Sequence, residues 1–229
     1  MQIKGLQKTT LLDFPGKVAC TVFTGGCNFR CPFCHNASLV LTPAIVEEIS
    51  EISFFSFLQK RKGILDGVCI TGGEPLLQKD IIDFMEKVKA EGYAIKLDTN
   101  GSFTAKLKDI VSRNLVDYIA IDIKNSPEKY SLTAGTDDNF CAVFDSVDYI
   151  MSCGVDYEFR TTVVKELHSP QDIEAIAKRI KGAKRYFLQS FKDSGDLICS
   201  DFSAYNEEEM KQLLDIARIC VPQCELRGI

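Results

Sequence analysis

Six short runs rich in β-branched and aromatic residues alternate with amphipathic helical patterns along this chain of 229 residues, and that alternation limits the fold more than any other feature. The strand candidates are Val18–Phe23, Gly67–Thr71, Ala94–Asp98, Tyr118–Ile123, Tyr157–Val164 and Arg185–Gln189. Between them the helices carry readable ends. Thr42-Pro43 supplies a cap and a first-turn proline ahead of Ile45, Val46, Ile49 and Ile52. Gln78 to Glu91 sets Ile81, Ile82, Phe84, Met85 and Val88 on one stripe, with Gly92 as the stop. Ser169-Pro170 opens a third helix over Ile173, Ile176, Ala177 and Ile180, closed by Gly182. Asn206 with Glu209 forms a capping box before Met210, Leu213, Leu214 and Ala217. Helical returns between strands imply a parallel sheet, because parallel neighbours need a long crossover. About six βα units fit, fewer than the eight of a closed barrel, so periodicity leaves an open sheet and an incomplete barrel both standing. No linker or low-complexity stretch divides the chain, and a single α/β domain over 1–229 is expected.

The polar motifs fall where strands end, the edge at which α/β folds collect ligands. Gly25-Gly26-Cys27 follows the first strand, Gly72-Gly73-Glu74-Pro75 the second and Asp98-Thr99-Asn100-Gly101 the third. Asp122-Ile123-Lys124 ends the fourth, Arg160-Thr161-Thr162 lies within the fifth, and Gln189-Ser190 ends the sixth. Cys27, Cys31 and Cys34, spaced C-x3-C-x2-C, are the most specific of these. Three thiolates so close can hold three corners of a cubane iron–sulfur cluster, leaving one iron open to an outside ligand where an electron carrier would have a fourth cysteine. A structural zinc site would show paired C-x2-C or added histidines, and the chain has only His35 and His168. A disulfide framework is not expected: Met1 to Phe14 holds Lys4 and Lys8 and no apolar h-region. Ten cysteines without such a framework suit a reducing, cytoplasmic and anaerobic setting. A net charge of −5 argues against nucleic-acid binding, and no run is apolar enough to span a bilayer.

At the second strand end, glycines let the main chain approach a ligand, and Glu74 can accept hydrogen bonds from an ammonium; an ordinary strand-to-helix turn would use the same residues. Asp98 and Asp122 at strand ends repel unless a cation or lysine intervenes. Asp98 also suits the Asp-x-Asn-Gly turn it occupies. Cys220 and Cys224 lack partners for a second cluster and read as thiols or a helix-end packing pair. His168, just before a helix cap, is expected at the surface.

Taken together, the cysteine trio with Phe33, His35 and Asn36, the Gly72–Pro75 turn, Leu97 to Gly101 and Asp122 to Lys124 resemble the radical S-adenosylmethionine (radical SAM) superfamily, and within it the glycyl-radical-enzyme activating enzymes. Leu11-Leu12-Asp13-Phe14-Pro15-Gly16-Lys17 and Glu225-Leu226-Arg227-Gly228 are most similar to the activating proteins of anaerobic ribonucleoside-triphosphate reductase. The resemblance implies an incomplete (β/α)6 TIM-like barrel of the radical SAM type. It implies a 4Fe–4S cluster on Cys27, Cys31 and Cys34, and S-adenosylmethionine beside Phe33, His35, Gly72, Gly73, Glu74, Asp98, Thr99 and Lys124. Asp98, Thr99 and Asp122 match the places of a monovalent cation. Gln189 stands near a histidine of the pyruvate formate-lyase activator that this chain lacks, and Phe191 is placed to stack on adenine. The implied activity is reductive cleavage of S-adenosylmethionine and removal of a hydrogen from a glycine of a large partner enzyme, with flavodoxin or ferredoxin as electron donor. Alternatives are the activation of another glycyl radical enzyme, a small metabolite enzyme like 7-carboxy-7-deazaguanine synthase, and a non-catalytic iron–sulfur electron carrier.

Overall fold

The computed structural model describes residues 1–136 and 140–229, and contacts divide the chain into two compact units. The first holds Met1–Asn28, Ser38–Thr99 and Phe103–Ile119; the second holds Phe29–Ala37, Asn100–Ser102 and Ala120–Ile229.

In the first unit β1 (Ile3–Thr10) pairs antiparallel with β2 (Ala19–Thr24). A short helix α1 (Ala37–Leu41) and then α2 (Glu51–Gln59) precede β3 (Gly67–Gly72), which runs parallel to β2 with Ala19 opposite Gly67 and Thr24 opposite Gly72. α3 (Ile81–Ala90) returns the chain to β4 (Ala94–Thr99), parallel to β3, and α4 (Thr104–Ser112) follows. α3 buries Ile81, Phe84, Met85 and Val88 of the stripe read from the sequence, leaving Ile82 half-buried, and Phe84 meets Phe54 of α2 at 5.4 Å between ring centroids. Each such side chain contributes about 1.5–3 kcal/mol of burial.

The Thr42 helix is not formed. Residues 42–49 make turns, and the helix begins at Glu51 with the Ser50 hydroxyl accepting from Ser53 N. Ile45 and Ile52 are 83% and 84% exposed, while Ile49 bridges Ile3. The cap decides the phase: starting at Ser50 puts Phe54 and Leu58, four apart, on the buried face, which the stripe counted from Thr42 does not do.

β5 (Tyr118–Asp122) is divided, its first two residues in the first unit and its last three in the second. The second unit then carries α5 (Tyr130–Ala134), α6 (Cys141–Ser152), β6 (Asp156–Val163), α7 (Pro170–Arg179), β7 (Tyr186–Ser190), α8 (Glu207–Arg218) and β8 (Cys224–Arg227). β6, β7 and β8 are parallel, and the Ile123 amide donates to Arg160 O at 2.8 Å beside them. The predicted capping box of Asn206 with Glu209 is present, and the Ser169-Pro170 helix start proves to be a second one, Ser169 with Asp172.

All six expected strands form, with β1 and β8 added, and the β1–β2 pair departs from the all-parallel expectation. β1 carries Lys4, Gly5, Gln7 and Lys8 and presents a mixed, half-exposed face; β8 is four residues long. Neither length nor composition announces a strand in those segments.

Candidate active site

In the first unit the chain leaves β2 through Gly25-Gly26-Cys27 and leaves β3 through Gly72-Gly73-Glu74, and the two loops are joined main chain to main chain. Gly73 N donates to Thr24 O at 2.9 Å and Glu74 N to Gly26 O at 2.8 Å. Gly72 has φ +118°, and a Cβ on Gly73 would lie 1.9 Å from Gly26 O. These glycines are required by the contact between the loops. Gln78 Nε2 donates to Gly25 O at 2.7 Å, and Lys106 Nζ to Leu76 O at 2.6 Å and Gln78 O at 2.9 Å. Sequence reasoning missed both braces, because neither Gln78, expected at the start of a helix and found extended ahead of it, nor Lys106 of α4 carries a local signal that it reaches a loop carbonyl.

Glu74 is fully buried. Its Oε1 accepts from Leu76 N at 2.9 Å and from the Thr99 hydroxyl at 2.7 Å, so two predicted site residues meet directly. Asp98 is ion-paired with Lys96, whose ammonium lies 4.0 Å from Cys69 Sγ and 5.9 Å from the centre of the Tyr118 ring. Lys96 is 1% exposed, an internal counter-charge for Asp98 that the sequence did not announce.

In the second unit Phe29–Ala37 is held on several sides. Ala134 O accepts from Arg30 N at 2.9 Å and from Cys31 Sγ at 3.6 Å. Gly135, at φ +59°, passes so close that a Cβ would lie 2.1 Å from Arg30 O. Cys199 N donates to Pro32 O at 2.8 Å, and the His35 ring meets Phe191 at 5.4 Å. Phe191, placed on adenine by the sequence reading, is buried here against His35 and Phe202. Burial, and secondarily the Lys124 charge, push the His35 pKa down.

His168 is not at the surface. It is 1% exposed, with its ring edge-on to Phe33 at 6.4 Å. Val164 N donates to Nδ1 at 3.1 Å, so Nε2 carries the hydrogen and donates to Lys124 O at 2.8 Å. The Lys124 carbonyl, two residues past the end of β5, takes this donor from His168, which stands just before the Ser169 helix cap. Burial pushes its pKa down, favouring the neutral ring this pairing uses.

Asp122 and Lys124 sit in a chain of charges. Arg160 Nε reaches Asp122 at 2.8 Å and Lys124 Nζ reaches it at 3.3 Å. Arg160 lies 3.8 Å from Glu158, which takes a two-armed contact from Arg227 at 2.9 Å on each arm. Glu158 is 1% exposed, and the Arg227 guanidinium lies 3.3 Å from the centre of the Phe187 ring. Burial alone would raise the Asp122 pKa, but Arg160 and Lys124 outweigh it and hold the carboxyl well below the usual range. Burial would lower that of Lys124, but Asp122 together with Cys31, Tyr130 and Cys34 keeps it well above an ordinary lysine. Gln189 sits half-buried at the end of β7, opposite Thr162 and Arg227. Cys224 is buried, its thiol pushed up to about 12, and Cys220 is half-buried at the end of α8.

Among the described residues no three His, Cys, Asp or Glu side chains stand gathered as a metal-ion site. The donor chemistry is of the kind the implied group takes: Cys31 and Cys34 of the second unit are free thiols, and so is Cys27, which follows the close-packed glycine loop of the first.

Residues 21–180 match the radical SAM superfamily. A Methanocaldococcus jannaschii protein named as a glycyl-radical enzyme activating enzyme is 31% identical, covering 99% of this chain and 96% of its own. The pyruvate formate-lyase-activating enzyme of Clostridium pasteurianum is 26% identical over 93% of this chain and 94% of its own. Streptococcus suis SuiB bound to S-adenosylmethionine shares the fold, with TM-score 0.69 and 14% identity over 90% of this chain and 49% of SuiB. The chain belongs to the radical SAM superfamily, and its fold is the α/β incomplete-barrel type of that class. Within it, the chain is a member of the glycyl-radical enzyme activating enzymes. It is therefore an enzyme whose cofactors are a 4Fe–4S cluster and S-adenosylmethionine, which removes the electron-carrier alternative. No helix among the described residues is long and apolar enough to cross a membrane.

Proposed function

We propose that this protein installs the radical on a glycine of a large partner enzyme, and that the partner is the anaerobic ribonucleoside-triphosphate reductase. The similarity over 99% of the chain to a protein named as a glycyl-radical enzyme activating enzyme carries the activase reading. The Leu11–Lys17 and Glu225–Gly228 segments support the particular partner. When bound, the reduced cluster and S-adenosylmethionine supply a carbon radical able to take an α-hydrogen from glycine, whose own radical the flanking amides delocalise.

The residues of this chain bind and orient. Cys27, Cys31 and Cys34 hold the cluster. Gly73 and Glu74 receive the amino group of the cofactor, with Thr99 fixing the Glu74 carboxylate. Lys124 faces the cofactor carboxylate, held there by Asp122 and by His168 on its own carbonyl. Phe33, His35, Gly72 and Gln189 complete the cofactor's surroundings. A monovalent cation at Asp98, Thr99 and Asp122 would exchange with Lys96 and Arg160, which already serve the two carboxylates. Flavodoxin or ferredoxin supplies the electron.

The test is anaerobic. Reconstituted protein, S-adenosylmethionine, dithionite or reduced flavodoxin, and the reductase should give 5′-deoxyadenosine and a glycyl doublet by electron paramagnetic resonance. Deuterium at the partner glycine's α-carbon should appear in 5′-deoxyadenosine. Its absence there, with deuterium arriving instead from a small metabolite, would return the protein to the metabolite-enzyme reading. A doublet only with a different glycyl radical enzyme would keep the activase and change the partner.

A further inference from the structure

Tyr130 is fully buried at the start of α5, and among the described residues its hydroxyl has no hydrogen-bond acceptor. Its ring is fixed by three aromatic neighbours: Phe140 stacked at 5.5 Å, Phe144 edge-on at 5.7 Å and Phe29 edge-on at 6.4 Å. Buried hydroxyls in folded proteins almost always find an acceptor, so an orphan marks a place where something is still to come. The main-chain group bearing on this oxygen is the Lys124 N–H, itself a donor, which leaves the phenol hydrogen without an acceptor. The charged or ionisable side chains that bear on it are Lys124, Cys31 and Asp122.

The same five-residue helix is the backing of Cys31. Its last carbonyl, Ala134 O, accepts from Arg30 N and Cys31 Sγ, and Gly135 lies against Arg30 O. Asn125 pins the helix from below, its Nδ2 donating to the Thr133 hydroxyl at 2.8 Å and to Leu167 O at 3.0 Å. One short helix therefore carries both the unused donor, at its first residue, and the carbonyl that backs Cys31, at its last. Burial pushes the phenol's pKa up, so it remains a donor across the working range.

We propose that Tyr130 tunes the iron–sulfur cluster: its hydroxyl donates a hydrogen bond to sulfur at the Cys31 corner of the bound cluster and raises the cluster's reduction potential. The proposal rests on the reading of Cys31 as an iron ligand. A donor at a ligand sulfur stabilises the added negative charge of the reduced state more than the oxidised one, and such outer contacts are among the controls on cluster potentials. Tyr130 is in this sense a positioning and tuning residue.

Tyr130→Phe removes only the hydroxyl and keeps the three ring contacts. In the full chain with its cluster reconstituted, potentiometry followed by electron paramagnetic resonance should show a shift toward harder reduction. A tenfold change in the one-electron equilibrium, about 59 mV, is the scale expected. Iron and sulfide content should stay at wild-type values. In the cluster-free protein the same substitution should leave the melting temperature unchanged or raise it, since there the hydroxyl is buried without an acceptor. 3-Fluorotyrosine in place of Tyr130, nearly isosteric and a stronger donor, should move the potential the opposite way and covers the case in which Tyr130→Phe loads poorly. A cluster-bearing variant whose potential does not move, in either substitution, overturns the inference and leaves the activase reading intact. A full cluster retained in Cys31→Ala would overturn the ligand assignment itself.

Discussion

The end of β3 and the end of β5 present their polar residues in two different ways. At β3 a buried carboxylate, Glu74, is held by an amide and a hydroxyl, in a turn whose glycines touch the neighbouring loop main chain to main chain. At β5 the carboxylate, Asp122, is held by Arg160 and Lys124, and the charges continue through Glu158 to Arg227. The first arrangement depends on shape and tolerates no added atom. The second depends on balanced charge, so it should respond to charge changes in graded steps and to pH.

The largest effect is expected where shape rules. Gly73→Ala sets a Cβ 1.9 Å from Gly26 O, and main chain cannot give way as a flexible side chain would. The turn must open, costing about 3–5 kcal/mol and taking the Cys27 loop with it. Urea unfolding and iron content after reconstitution check this. A stable Gly73→Ala protein with a full cluster would show that the loops are not joined as described.

The charge chain should break more gently and be repairable. Arg227→Met leaves the Glu158 carboxylate, 1% exposed, without its two-armed partner, at about 3 kcal/mol. Adding Glu158→Gln should recover much of that loss, as neutralising both members of a buried pair does. Additive losses in the double variant would mean that the pair is not coupled.

Acid tests a third carboxylate, Asp172 of α7, held by both hydrogen bonds and a charge. Burial would raise the Asp172 pKa, but hydrogen bonds from Lys129, Ser169 and Ser126 outweigh it and hold it at about 2 against 3.8. A carboxyl with a depressed folded pKa stabilises above its unfolded value and loses that contribution as pH falls from about 4 to 2. With solvent screening at Lys129, a loss of about 1–2 kcal/mol is expected over that window. Asp172→Asn should flatten the acid limb of stability against pH, measured by thermal unfolding; an unchanged slope would mean that other carboxyls set it.

Much of this was legible in the chain, and the residues that were not share a reason. The six strands, most of the α3 stripe and the Asn206–Glu209 capping box are periodic or local patterns, and they formed where sequence reading put them. Glu74 and Thr99 were named separately, and the fold joined them at 2.7 Å. The Thr42 helix failed because the Ser50 cap, a single hydroxyl, outranked a stripe of three isoleucines and a valine. His168 and Arg227 act through partners 44 and 69 positions away, and no local pattern can show that. A histidine before a helix cap looks like any loop residue until its two nitrogens are seen to be taken by Val164 and Lys124.

The smallest effect bears on the monovalent cation, where the two strand ends should prove alike. Asp98 has Lys96 and Asp122 has Arg160, so an added cation competes with a counter-charge already in place and gains only the difference. Replacing potassium by choline at constant ionic strength should therefore weaken S-adenosylmethionine binding by about two- to threefold, about 0.5 kcal/mol. Lys96→Met removes the competitor while keeping most of its buried stem, and should enlarge that dependence. Equilibrium binding to the cluster-loaded protein measures both. A loss well beyond tenfold in the unaltered protein would mean that Lys96 and Arg160 leave their carboxylates when the cofactor enters, whereas a Lys96→Met protein indifferent to potassium would remove the cation from this site.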